Sequence, residues 1–305
     1  MVTPHFMIIG AMKCGTSTLH EQLAAQPGVT MSIPKEPCFF SDDDIFERGI
    51  EWYKSCFAHA ATGSILGESS THYTKRTIYP RTVERVRSLC SPPTRFVYVM
   101  RHPVARARSQ FVHEWTVRKI SADWDRALLQ APDILANSLY AFQIRPWLEA
   151  FGPERVLPVF LERLRAAPEE ELGRIARFVG VRAPASWHDE IADQNVSTSR
   201  VRRSRARDWV RSVPPLDLAR RAIPKPIRES LKSPWKMSSA PPIPLDLSRR
   251  LHDRFNDDLA QLGAWLSMDL SCDNFEQAVV GRSPEWDEGR VAGGEPAQPT
   301  SRCID

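Results

Sequence analysis

Two apolar periods alternate along this chain. Phe6-Met7-Ile8-Ile9, Phe96-Val97-Tyr98-Val99-Met100 and Val156-Leu157-Pro158-Val159-Phe160 are short continuous apolar runs. Runs of this length, rich in β-branched and aromatic residues, predict strands buried on both faces. Between them lie segments whose apolar residues fall three and four apart, the spacing of a helix that buries one stripe. The pattern predicts strands within 2–9, 64–67, 95–100 and 155–160. It predicts helices over 16–26, 45–57, 79–89, 103–117, 124–129, 134–151 and 168–179, the last stopped by Gly180. Leu251, Phe255, Leu259, Leu262 and Leu266 make one stripe along a predicted helix at 245–266. Strands and helices in alternation predict an α/β fold, a parallel sheet covered by helices on both faces.

The pattern loosens after Ala183. Residues 195–211 are strongly basic, and 233–244 read as a proline-rich connector or lid. From 281 to 305 the chain is rich in Gly, Pro, Glu and Ser, which predicts a disordered tail after a single domain at 1–280. A chain of 305 residues buries a full core. Its net charge of +4 suits an anionic ligand but is too mild to indicate nucleic-acid binding. The six cysteines (14, 38, 56, 90, 272 and 303) have neither C-x-x-C pairs nor metal-ligand spacing. Free thiols in a reducing compartment, and no metal, are the expectation. No apolar run reaches membrane-spanning length and no secretory leader is visible, so no membrane span and a cytoplasmic location are expected.

Candidate chemistry begins where the first strand ends. Gly10 closes the apolar run, Lys13 and Gly15 follow, and Thr16, Ser17 and Thr18 open the helix. A strand, tight loop and helix N-terminus in that order form an anion cradle. Gly10 and Gly15 keep the glycine spacing of a Walker A loop, but Thr16 stands where its lysine belongs. That argues against ordinary ATP or GTP hydrolysis. Cys14, inside the loop, reads either as a small residue that fits or as an activated thiol. Arg101 ends the central strand, Pro103 suits the first turn of the next helix, and Ser109 lies about two turns in. Lys35-Glu36 sits between Pro34 and Pro37, ahead of Cys38, Phe39 and Phe40, which predicts an extended loop anchored by the two phenylalanines. Glu36 is expected to be partly buried there.

These segments together resemble a known family. Lys13-x-Gly15-Thr16 is similar to the 5′-phosphosulfate loop of sulfotransferases that use 3′-phosphoadenosine 5′-phosphosulfate (PAPS). Arg101-x-Pro103-Val104, followed by Ser109, resembles their 3′-phosphate motif. Lys35-Glu36-x-x-Phe39-Phe40 and Gly67-Glu68-x-Ser70-x-x-Tyr73 resemble the heparan-sulfate-type and related bacterial carbohydrate branch. The resemblance spans about residues 5–270. It implies the sulfotransferase fold and a set of roles. Lys13, Cys14, Gly15, Thr16, Ser17 and Thr18 would hold the 5′-phosphosulfate, with Lys13 catalytic as well. Arg101 and Ser109 would hold the 3′-phosphate, and Arg200, Arg202 and Arg203 would close over the nucleotide. Glu36 would be the catalytic base, with Lys35, Cys38 and His72 on the acceptor side. The implied acceptor is a hydroxyl of a glycan or small molecule, with adenosine 3′,5′-bisphosphate as product. Two departures stand out: Cys38 replaces a common histidine and Ser69 a common lysine. His72 is either a substitute for that lysine's charge or an ordinary loop histidine. A kinase using ATP, and a non-catalytic binder of adenosine bisphosphate or anionic glycan, stay open as alternatives.

Overall fold

The computed structural model describes residues 4–90, 94–117, 119–192 and 241–293. The basic segment at 195–211, with Arg200, Arg202 and Arg203, lies outside the described residues, as does most of the 233–244 connector. Strands β1 (Phe6–Gly10), β2 (Val29–Met31), β3 (Ile65–Ser69), β4 (Arg95–Met100) and β5 (Val156–Phe160) form one parallel sheet in the order β2-β3-β1-β4-β5. Phe6 pairs with both Gly67 and Arg95, so β1 lies between β3 and β4. The chain passes from β3 across β1 to reach β4. Strand order therefore reverses between β1 and β4, the place where open parallel sheets leave a crevice beyond their carboxyl ends. Apart from Arg95, the residues of β1, β4 and β5 are all buried, which accounts for their unbroken apolar runs. β2 has only three residues and no such run, and the sequence pattern does not reveal it.

Most predicted helices stand where the spacing puts them. α1 is Thr16–Ala24, and α4 and α5 follow at Thr82–Leu89 and Pro103–Thr116. α6 is Trp124–Gln130 and α10 is Pro168–Val179, which ends on a left-handed Gly180. Two predicted helices are each split in two. Positive φ at Gly49 separates α2 (Asp43–Phe46) from α3 (Gly49–Ser55). Asn137 and Ser138 separate α7 (Asp133–Ala136) from α8 (Tyr140–Phe151), because both side chains bond to α5 and its leading turn. Two short helices, α9 (Leu161–Ala166) and α11 (Asp189–Ala192), complete this half.

The helix Leu245–Leu266, here α12, carries its whole predicted stripe into the core. Its Asp258 also reaches α8, accepting the amides of Ala141 and Phe142 at 2.9 Å each. α8 has no side-chain cap of its own, so this carboxylate satisfies part of its N-terminus. Two further helices follow, α13 (Phe275–Val280) and α14 (Glu288–Gly293). The pattern of the chain places a disordered tail from 281, and the structure corrects this for 281–293. Arg163 donates to Val280 O and Ser283 Oγ, Arg174 donates to Pro284 O, and Trp286 Nε1 donates to Val156 O at 2.6 Å. Local composition cannot register anchors supplied by helices more than a hundred residues upstream.

Candidate active site

Three connections meet at the carboxyl edge of β1 and β4. The first is the loop 11–15. At Gly10 a Cβ would fall 1.9 Å from Thr74 Oγ1, so only glycine fits between the strand and the turn after β3. Lys13 (φ 72°) and Gly15 (φ 83°) both adopt left-handed backbone, which folds the loop back over the strand end. α1 then starts without a side-chain cap and without an acidic residue in its first turn. Its first backbone bond runs from Leu19 N–H to Gly15 O, leaving the amides of Thr16, Ser17 and Thr18 without intrahelical acceptors. Lys13, Ser17 and Thr18 are half-buried beside them. These are the donors of an anion cradle.

Cys14 does not belong to that donor set. Its side chain is fully buried, with Sγ 3.6 Å from Tyr140 Oη, and its amide donates to Ala11 O. Burial pushes its thiol up to about 12. The reading of Cys14 as a ligand contact or activated thiol is corrected: it is a small residue filling the underside of the loop.

The second connection is the turn from β4 into α5. Tyr140 Oη donates to Arg101 O at 2.5 Å and accepts from Arg101 N–H at 3.2 Å. Glu162, just beyond β5, accepts from His102 N–H at 2.9 Å. The backbone that presents Arg101 is thus held from two sides. Ser109 is half-buried on α5, about 9 Å along the helix axis from Pro103. Tyr140 and Glu162 escape sequence reasoning because nothing in their local pattern distinguishes them from ordinary helix residues.

The third connection carries Glu36. Phe39 stacks on Tyr53 with centroids 4.7 Å apart and meets Phe40 edge-on at 5.0 Å, anchoring the loop as the sequence predicts. Glu36 and Cys38 both take positive φ, uncommon for residues other than glycine, and this projects Glu36 outward. Its carboxylate is exposed, not partly buried, and accepts from Thr71 Oγ1 at 3.3 Å. Ser70 N–H and Thr74 Oγ1 donate to Ile8 O and Ile9 O, which ties the turn bearing Thr71 to the end of β1. Glu36 is thereby brought to the same edge as Lys13.

The acceptor-side residues divide. Lys35 is half-buried on this loop. Cys38 turns inward; its amide donates to Ser70 Oγ at 3.1 Å, and burial, with Glu36 and Glu68 adding, pushes its thiol up to about 12. His72 stacks on Tyr79 at 4.6 Å, and burial, then Lys75, pushes it down to about 4. It is neutral at neutral pH and does not replace a missing cation. Ser69 is buried with Oγ 2.7 Å from His20 Nδ1, and burial, then Lys35, holds His20 down to about 4. Lys75 is half-buried and interacts with the charges of Asp133 and Glu36, while burial lowers its proton affinity. No local motif marks this lysine, six residues beyond Ser69.

Comparison with known proteins places the chain among relatives of one family. The family profile described as "Sulfotransferase domain" matches residues 3–256. The human "Heparan sulfate glucosamine 3-O-sulfotransferase 6" is 31% identical over 188 residues, covering 59% of this chain and 53% of its own length. The mouse "Heparan sulfate glucosamine 3-O-sulfotransferase 3B1" is 29% identical, covering 59% of this chain and 46% of its own. The chain thus spans about half the length of these curated relatives. A crystal structure of a sulfotransferase from Alicyclobacillus acidocaldarius superposes with a TM-score of 0.58 at 22% identity, covering 88% of this chain and 98% of that one. That likeness concerns the fold.

Proposed function

The chain belongs to the sulfotransferase domain family, and on that premise we propose that it transfers a sulfuryl group from PAPS to a hydroxyl of a carbohydrate or glycosylated acceptor. The observation that carries the reading is the uncapped, acid-free N-terminus of α1 with Lys13 at its lip, beside Arg101 on the adjacent strand end. A nucleotide with phosphates at both the 5′ and 3′ positions fits that donor set. The amides and hydroxyls of Thr16, Ser17 and Thr18, with Lys13, would hold the 5′ end, while Arg101 and Ser109 would hold the 3′-phosphate, arginine giving bidentate recognition. Bound there, PAPS supplies a sulfuryl group on a good leaving group.

Lys13 neutralises charge as it builds on the departing phosphate. Glu36, exposed and steadied by Thr71, accepts the proton of the attacking hydroxyl. Lys75 lies within electrostatic reach of Glu36 and would favour its ionised form. Positioning and electrostatics then supply most of the rate, as in phosphoryl transfer. Two relatives named as acting on heparan sulfate support a sugar acceptor.

Calorimetry with adenosine 3′,5′-bisphosphate, AMP and ATP tests the donor site. The expected result is binding that requires the 3′-phosphate and is weakened at least tenfold by Arg101→Ala. Equal affinity for ATP would return the chain to the kinase reading.

A further inference from the structure

Five residues after Arg101, α5 carries an arginine that the site described above does not use. Arg106 is 0% exposed. Its Nε donates to Ser138 Oγ at 2.5 Å, its Nη2 to Ile134 O at 2.5 Å, and its Nη1 to Gln110 Oε1 at 2.9 Å and to Met12 O at 3.3 Å. Every one of these acceptors is uncharged. Among the described residues no carboxylate lies within ion-pair distance of it. The acid closest through the network is Asp133, reached by way of Gln110 Nε2 at 2.7 Å. The other titratable groups against it, Cys14, Tyr98 and Tyr140, are neutral at working pH because burial raises each of them.

A guanidinium stays protonated in a protein interior, and an unpaired buried charge is costly. Two features indicate what balances it. One of its acceptors is the carbonyl of Met12, the residue that precedes Lys13 in the loop. Its helix also carries Ser109, and its chain neighbour Arg101 opens the same turn. The buried charge therefore sits beneath the anion cradle and grips the loop from below.

We propose that Arg106 is a positioning residue of the nucleotide site, fixing the Met12 carbonyl so that Lys13 and the first-turn amides of α1 face the bound anion, whose charge balances its own. This rests on the donor-site reading above. The bonds to Ser138 and Ile134 set the guanidinium plane, so the bond to Met12 is directional and lysine cannot reproduce it.

The test uses Arg106→Gln and Arg106→Lys in the full chain, each measured well below its thermal midpoint. In Arg106→Gln, affinity for adenosine 3′,5′-bisphosphate should fall at least tenfold and kcat should fall further, with the acceptor KM unchanged. Arg106→Lys keeps the charge and loses the fork. It should recover most of the binding while kcat stays depressed at least tenfold. If Arg106→Gln does not fold, Arg106→Lys decides by that split. A lowered thermal midpoint with unchanged bisphosphate affinity and kcat would make Arg106 structural only and overturn the inference. Failure of the wild-type chain to prefer the 3′-phosphate would instead overturn the donor-site reading.

Discussion

Glu68 gives the fold a pH-dependent stability that one substitution should remove. It lies on β3 with 0% exposure, and neither carboxylate oxygen has a hydrogen-bond partner. The phenols of Tyr53 and Tyr73 lie near enough to offset part of that burial without meeting the carboxylate in good hydrogen-bond geometry. Burial pushes the carboxyl from its ordinary 4.5 up to about 8. The folded state therefore binds this proton more tightly than the unfolded chain does. Stability is complete while both are protonated and falls as pH rises from about 4.5 to about 8. His20, held down to about 4, works in the opposite sense and has contributed fully once pH exceeds 6.5; His72 behaves alike, with a smaller effect because it is partly exposed. Asp258, raised by burial to about 6, is mostly ionised by then. Glu68 dominates the window from pH 6.5 to 8, and comparison with Glu68→Gln cancels the smaller changes that the histidines and Asp258 still make there. Each tenfold step in proton affinity is worth ~1.4 kcal/mol, so wild type should lose about 1.6 kcal/mol relative to Glu68→Gln across the window. That is a large part of a typical stability of ~5–15 kcal/mol. Urea unfolding followed by tryptophan fluorescence at pH 6.5 and 8 measures the difference. Glu68→Gln should lack this decline and be more stable than wild type at the upper end. A flat wild type, or an equal decline in Glu68→Gln, would refute the assignment.

Three other substitutions probe the site. Lys13→Ala should lower turnover on the order of 100-fold, the scale of losing one transition-state donor, with the thermal midpoint unchanged; normal turnover would remove Lys13 from the mechanism. Glu36→Gln should reduce turnover by about 100-fold or more and leave bisphosphate affinity intact, since its carboxylate is exposed on the acceptor side. Weaker nucleotide binding with intact chemistry would instead make Glu36 a binding group. Tyr140→Phe removes the hydroxyl that holds both backbone groups of Arg101. It should cost about 1–2 kcal/mol of stability and weaken bisphosphate binding severalfold; unaltered binding on calorimetry would show that Arg101 is held without it.

What the sequence determined by itself is what local periodicity and local chemistry encode. The apolar runs of β1, β4 and β5, the stripe of α12 and the Gly180 stop are all where the pattern puts them. Burial on one face or two leaves a short-range signature, and glycine and proline mark its ends. The loop at 11–15 and the Arg101 turn were legible for the same reason, since a strand, a turn and a helix start are contiguous in the chain. Long-range packing then sets which segments become neighbours. Strand order sets β4 beside β1 and so brings the Arg101 turn to the same sheet edge as the Lys13 loop. The same packing turns Cys14 and Cys38 inward, leaves Glu36 in solvent, keeps His72 neutral and buries Arg106 against the Met12 carbonyl. Proton affinity and side-chain direction follow from desolvation and partners supplied by distant elements, and no window of sequence contains those elements.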